Sequence, residues 1–404
     1  MAEVIDDSAL NQIGSRAKAC NRTRTQRLLL LAALIMSVTA LVLIVIGSLQ
    51  GTTTGMTMLP AFFVLLAAIA GWFGRLNNHW LCAGLFLLAS TIAALLLVLH
   101  LRAMQTTGFS EASGFSSLSK LGYWFSVIAA WLMAWLSVEH LSAIQSLSRI
   151  INRVLSFIIP VIFGVWLLLV WEYITRGAGV PQVLLPSPSL IGERFSNSIP
   201  ILIADFKQTF LKAVLIGYAM GCGAGFVVAI LIDRSPFLQR GLLPIGNLVS
   251  ALPIVGVAPI MVMWFGFDWP SKAAVVIVMT FFPMLVNTVA GLSAANSMQH
   301  DLMKTYAAGY WQSLFKMRLP QALPFIFNAL KINSTLALIG AIVAEFFGTP
   351  IVGMGFRIST EVGRMNVDMV WAEIAVAAMA GSLFYALLAL IERMCTFWHP
   401  SMRT

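Results

Sequence analysis

The chain has 404 residues, 59% hydrophobic and 10% charged, with 25 Lys and Arg against 16 Asp and Glu and a formal net charge of +9. A soluble domain carries about 25% charged residues, so this composition excludes a soluble globule and points to an all-α polytopic membrane protein that uses the bilayer as solvent. The positive balance could serve nucleic acid, but Lys and Arg beside membrane spans equally mark cytoplasmic loops, and no nucleic-acid partner is expected.

A helix needs about 20 mainly apolar residues to cross the hydrocarbon core. Spans are expected at Leu28 to Leu49, Thr57 to Phe73, Trp80 to Leu101, Gly122 to Val138, Val154 to Ile174, Gln208 to Ile232, Leu243 to Phe267, Ala273 to Leu292, Ile332 to Phe347 and Val370 to Ile391. That makes a transmembrane helical bundle of about ten spans. Residues 1–27 form a polar tail in which Arg16, Lys18, Arg22, Arg24 and Arg27 precede the first span. The positive-inside rule then places the N-terminus in the cytoplasm, and an even number of spans returns the C-terminus there. The first apolar run is too long for a cleaved signal peptide.

Residues 28–138 read as a four-span bundle with few polar groups and Gly, Ser and Thr rich loops, a composition of packing or scaffolding. The stretch EHLSAIQSLSRIINR, residues 139–153, carries Leu141, Ile144, Leu147 and Ile151 at helical spacing. It is expected to be an interfacial linker helix on the cytoplasmic side. Beyond it, VPQVLLPSPSLIGERF is a Pro-punctuated outer segment, and the next span carries Gly217, Gly221 and Gly225 on one face. Three glycines at four-residue intervals allow close approach of a neighbouring helix, whereas a dinucleotide loop would need a βαβ setting that is absent. The span from Leu243 holds Pro244, Pro253 and Pro259 with Gly246, Gly256 and Gly266, so it must bend or break, either as a wall of a translocation path or as a kinked packing helix.

The loop from Asn296 to Lys331 carries the functional inference. Asp301 to Met317 contains good helix formers and no proline, Pro320 and Pro324 close it, and Lys304, Lys316 and Arg318 are expected as exposed donors. Tyr306, Trp311, Leu314 and Phe315 supply an apolar face for lipid or for a partner's groove. Polar residues within spans, Asn287, Asn333, Ser334, Thr335 and Glu345, are candidates for a solute path, although each can equally satisfy a helix contact. Four scattered cysteines without CxxC and five histidines without paired spacing give no metal site and no catalytic residues.

The loop text DLMKTYAAGYWQSLFKMRLPQALP resembles the EAA loop of permease subunits of ABC importers, in the branch importing nitrate, sulfonates, taurine and pyrimidine precursors. Asp301 stands at the family's Glu, Lys304 at its Arg and Thr305 at its Thr, and Trp311, Gln312, Leu319, Pro320, Ala322, Leu323 and Pro324 match its later positions. Leu302 and Met303 replace the alanine pair, while Ala307 stands at the usual Gly with Gly309 two residues later. LLPSPSLIGERF, ALPIVGVAPIMVMWFGFD, FFPMLVNTVAGL and AEFFGTPIVGMGFRI resemble other family segments in the same order. The first 150 residues match nothing in the usual six-span form.

The resemblance implies a six-span permease domain of the MetI-like fold over residues 154–404, with a coupling loop at 296–331, in a bacterial plasma membrane. It implies a permease homodimer surrounded by lipid, a cytoplasmic ATPase dimer that hydrolyses ATP, and a periplasmic or extracellular solute-binding protein. The segments PSPSLIGERF and Gly353 to Gly363 are the candidate docking surfaces for that binding protein. Tyr306, Trp311 and Phe315 would anchor the ATPase by burial, and Asp301 and Lys304 would orient it. The chain has no GxxxxGK[ST] phosphate loop, so it is expected to bind no cofactor and to be no enzyme. An ion-driven secondary transporter or an integral-membrane enzyme are the alternatives. The first should show repeats and buried ionisable groups, but no internal repeat is evident and the acidic residues lie mostly near span ends; the second should show a motif such as HExxH or GxSxG, and none is evident.

Overall fold

The computed structural model describes residues 26, 28–43, 58–73, 79–106, 117–144, 148–250, 253–348 and 351–398, and no strand occurs among them. Their contacts divide the chain at Pro181 and Gln182 into two units.

The first unit contains α1 (Leu28–Leu43), α2 (Met58–Phe73), α3 (His79–Thr106), α4 (Ser117–Ala143) and α5 (Arg149–Gly177). Alanines 33, 68, 93, 94, 129 and 130 lie at the contacts of its core, where small side chains let helix backbones approach, and Phe86, Met133, Leu136 and Trp166 fill the space between them. Buried Ser37, Ser90, Ser126 and Ser137 donate to carbonyls three or four residues back, so each of these four hydroxyls is satisfied within its own helix. The Tyr173 hydroxyl on α5 donates to Ala94 O at 2.9 Å. Trp166 and Tyr173 thus carry α5, which the sequence puts at the head of the second bundle, into the core of the first unit.

The linker expected at 139–153 is not a helix of its own. Its first residues continue α4 to Ala143 and its last begin α5, because no proline or glycine stops α4 where the apolar run ends at Val138. Residues 145–147 lie outside the described residues.

In the second unit, α6 (Pro188–Asn197) is followed by α7 (Ile199–Phe206), a π-helical stretch Lys207–Val214 and α8 (Leu215–Arg234). Then come α9 (Pro236–Ser250), α10 (Ile254–Phe265), α11 (Trp269–Ser293), α12 (Ser297–Thr305) and α13 (Tyr310–Ser313). A π turn at Leu314–Arg318 leads into α14 (Leu319–Glu345), and α15 (Met354–Gly363) and α16 (Val367–Cys395) complete the unit. The central helix is α11, with α8 on one side and α14 on another.

Six helices among the described residues are long and apolar enough to cross a membrane: Leu121–Ala143, Arg149–Gly177, Ile199–Arg234, Trp269–Ser293, Tyr310–Glu345 and Val367–Cys395. This falls short of the ten expected. Leu28–Leu43, Pro60–Ile69, Cys82–Val98 and Ile254–Phe265 are apolar but shorter. The span expected from Leu243 to Phe267 is two helices, of 15 and 12 residues. Pro253 is extended at φ −68° and ψ 118°, so it starts α10 rather than continuing α9, and Gly266 at φ 85° ends α10. The break that the prolines require is therefore present.

The glycines of α8 pack on α11. A Cβ at Gly217 would lie 2.7 Å from Val276 Cβ, one at Gly221 would lie 2.9 Å from Ile277 Cα and strike Thr280 Oγ1, and one at Gly225 would lie 2.5 Å from Phe281 O. Gly223 faces open space. Gly221→Val is expected to lower stability by about 2 kcal/mol through forced separation of the two helices, while Gly223→Val leaves the melting temperature in detergent nearly unchanged. Equal losses in the two variants would contradict this packing account.

Candidate functional site

At one end of the second unit, the loop between α11 and α14 stands on a polar clamp. Asp233, in the last turn of α8, accepts from Arg318 Nη1 at 2.8 Å, from Arg318 Nη2 at 2.5 Å and from the Tyr310 hydroxyl at 2.9 Å. Arg318 also donates to Leu292 O at the end of α11, from Nε at 3.1 Å and from Nη2 at 3.0 Å. With the Asp233 side chain 10% exposed and that of Arg318 15%, the two-point geometry replaces the water that each charge loses. The Arg234 guanidinium lies 5.9 Å from the ring centres of both Tyr310 and Trp311.

The expected helix from Asp301 to Met317 is instead two helices and a π turn. The chain breaks between Thr305 and Tyr310, where Ala307 takes φ 49°. The prolines do not close it: Pro320 and Pro324 lie in α14, which is continuous with α13 through the π turn. Leu319 N–H there donates to Leu314 O, five residues back, a widened register of the kind that accommodates irregular backbone beside proline.

Two further readings of the loop are corrected. Arg318 is clamped rather than an exposed donor, and Leu314 is fully buried rather than part of the outward face. The outward aromatic side chains are Tyr306, Trp311 and Phe315, which are 77%, 50% and 58% exposed, and Leu302 and Met298 on α12 are exposed as well. The Trp311 and Phe315 rings stack at 5.9 Å. Asp301 and Lys304 form an exposed pair at 3.2 Å, and the Thr305 hydroxyl donates to Asp301 O. Gln312 Oε1 accepts from Gly309 N–H at 3.2 Å and so starts α13. Gln299 Oε1 accepts from Asn296 N–H and from Gln321 Nε2, joining α12 to α14.

A left-handed alanine costs roughly 1 kcal/mol, which is a physical reason for glycine at that position. Ala307→Gly is expected to stabilise the loop by up to about 1 kcal/mol, less the larger entropy of a glycine in the unfolded chain. Limited proteolysis between α12 and α13 should slow, and faster cleavage would contradict this.

At the opposite end a second polar cluster joins α7, the π stretch after it, α14 and α15. Asp205, fully buried, accepts from Gly353 N–H at 2.7 Å and from Arg357 Nε at 2.9 Å. Thr209 donates to Glu345 Oε1 at 2.7 Å and accepts from Met354 N–H at 2.8 Å, and Glu345 Oε2 accepts from Gly355 N–H at 2.6 Å. Three N–H groups at the start of α15, which no helical carbonyl could serve, are thus satisfied by three side chains. Gly353 takes φ 146°, and a Cβ there would lie 2.8 Å from the Glu345 carboxyl. Burial disfavours the Arg357 charge, but the bonded Asp205 carboxylate outweighs it and holds the guanidinium pKa above its usual value. Buried Lys272 ties this end together by donating to Phe267 O at 2.6 Å and to Gly348 O.

The solute-path candidates lie in separate contacts. Asn333 is buried and donates to Thr280 O at 2.8 Å and toward Cys222 Sγ at 3.2 Å; buried Ser334 donates to Lys331 O, and half-buried Asn287 to Pro283 O. Thr335 donates to Ile332 O, and Glu345 belongs to the cluster at the start of α15. Sequence reasoning missed Asp205, Thr209, Lys272, Arg357, Asp233 and Tyr310. An ionisable residue within or at the end of an apolar run is the signal that could have singled out Asp205, Lys272 and Asp233. Among the described residues no group of three or more His, Cys, Asp or Glu could hold a metal ion.

The sequence pattern of the family described as "Binding-protein-dependent transport system inner membrane component" matches residues 221–403. The chain is 30% identical over 239 residues to the formylaminopyrimidine transport permease protein ThiX of Halalkalibacterium halodurans, covering 59% of this chain and 95% of that protein. It is 29% identical over 236 residues to the riboflavin transport system permease protein RibX of Chloroflexus aurantiacus, covering 58% and 88%. It is 25% identical over 243 residues to the taurine transport system permease protein TauC of Escherichia coli, covering 59% and 88%.

Proposed function

Since the chain belongs to the inner-membrane permeases of binding-protein-dependent ABC importers, we propose that it forms the translocation path for a small polar or anionic solute and is driven by a separate ATPase docked on the loop at 296–331. The solute is of the nitrate, sulfonate, taurine or pyrimidine-precursor type. The loop and both termini face the cytoplasm, the permease is a homodimer, and a solute-binding protein delivers to the opposite face.

One observation carries this reading: Tyr306, Trp311 and Phe315 stand exposed on the loop while Asp233 and Arg318 fix its base. Large aromatic side chains held out on a rigid support have the character of anchors for a partner's pocket. Asp301 and Lys304, exposed beside them, set orientation and encounter rate more than affinity. The acidic cluster at the start of α15 fixes the opposite end, where incoming solute is received.

The test is to purify the full chain alone and with its cognate ATPase subunit from membranes. The chain alone should hydrolyse no ATP, and the pair should copurify and hydrolyse it. ATP turnover by the isolated chain, or failure of any ATPase to associate, would count against the assignment.

A further inference from the structure

We infer that the Asp233–Arg318 clamp is the joint through which a push on the loop is delivered to α8 and α11 together, so that both are positioning residues for energy coupling. The inference rests on the functional reading above and adds the route inside the permease.

The route follows from how each element is held. α12 has no buried residue and attaches at its start through Gln299 to Gln321, so α12 by itself gives little purchase on the bundle. α13 and the π turn are anchored, with Leu314 fully buried and Tyr310 bonded to Asp233. The contacts described between α8 and this segment are the Asp233 bonds to Tyr310 and Arg318 and the placement of Arg234 over Tyr310 and Trp311. Arg318 at the same time holds Leu292 O, the end of α11, so one guanidinium joins three elements.

Beyond the joint, α8 and α11 cannot slide freely. Backbone and side-chain atoms of α11 fill the space beside Gly217, Gly221 and Gly225, so the two helices move as one body. At the far end of α11, Lys272 donates to Phe267 O beyond α10 and to Gly348 O beyond α14. α14, continuous with α13, reaches Glu345 at the α15 end by itself, so what the clamp adds is that α8 and α11 follow the loop with it. The glycine seam does not involve the clamp, so opening the clamp should free the loop from α8 while leaving the α8–α11 pair intact.

The test needs no knowledge of the solute. A cysteine at Phe237, exposed just past the end of α8 that carries the clamp, is labelled with a membrane-impermeant maleimide in proteoliposomes holding the permease and its ATPase, with and without ATP and vanadate. The unsubstituted clamp should give an ATP-dependent change in labelling rate. Asp233→Asn and Arg318→Gln should reduce that change at least about fivefold while the ATPase still binds and hydrolyses ATP, and the exchanged pair Asp233→Arg with Arg318→Asp should restore part of it. Should Asp233→Asn not accumulate in membranes, Arg318→Lys, which keeps the charge and loses the fork, gives the same reading. A full labelling change in the single variants would overturn the joint. Failure of the unsubstituted chain to bind an ATPase would overturn the functional reading and the joint with it, and is distinguished by the binding measurement.

Discussion

Asp205→Ala is expected to destabilise the second unit by about 3–5 kcal/mol, the range for removing one partner of a buried ion pair. The carboxylate is wholly buried and Arg357 is 19% exposed, so the guanidinium left behind has little water to replace its partner. Gly353 N–H loses its acceptor as well. Asp205→Asn keeps an acceptor for Gly353 but withdraws the charge facing Arg357, and should fall between the two. Arg364→Ala serves as the contrast: that guanidinium is 68% exposed, and buried Glu361 keeps the Asn366 amide at 2.7 Å when it is removed, so the loss should stay within about 1 kcal/mol. Thermal unfolding in detergent by tryptophan fluorescence ranks the three. A melting temperature for Asp205→Ala equal to that of Arg364→Ala would show that the start of α15 does not depend on its acidic partner.

Trp311→Ala is the second large effect, and it concerns the partner rather than the fold. The indole is half exposed, stacked on Phe315 and flanked by the Arg234 guanidinium, so its removal costs the permease little packing. On docking, an aromatic side chain held in this way behaves as a hot spot, with a truncation cost of about 3 kcal/mol, roughly a 100-fold weaker association with the ATPase. Lys304→Ala at the rim should instead slow association modestly and flatten its salt dependence. Binding of the ATPase to detergent-solubilised permease at two salt concentrations separates these effects. Unchanged affinity in Trp311→Ala would remove the aromatic face from the proposed interface.

Features that depend on residues close together along the chain were legible in the sequence. The four-residue spacing from Gly217 to Gly225 marks the face that meets α11, and Pro253 marks the break between α9 and α10, since a proline interrupts helical hydrogen bonding wherever its neighbours point. Glu345 and Arg318 stood out singly, but the partners that make the two polar clusters escaped, for a physical reason. Asp205 and Arg357 are 152 positions apart, and Asp233 and Arg318 are 85 apart, whereas periodicity reports only on neighbours. Arg318 therefore read as one more loop cation, although it is the most constrained charge in the loop. The helix boundaries at Pro320 and Pro324 failed because the π turn before them lets α13 run into α14. Position 307 shows how the two views combine: the sequence registers alanine where the family has glycine, and the left-handed backbone supplies the reason.

The interruption between α9 and α10 bears on how the protein is made. Neither helix, at 15 and 12 residues, reaches the roughly 20 residues that an independently inserting segment needs, and Arg240 on α9 adds a further penalty at the translocon. The chain leaves α8 at the end that holds Asp233 and enters α11 at the end that holds Lys272, so these two short helices must together connect opposite ends of the unit. Their entry into the membrane then draws on protein surface, from α8 already made and from α11 still to come, since α9 packs on both and α10 on α11. In released chains truncated after residue 266, this stretch should be more accessible to a membrane-impermeant label than in chains that end past residue 293 and so carry α11.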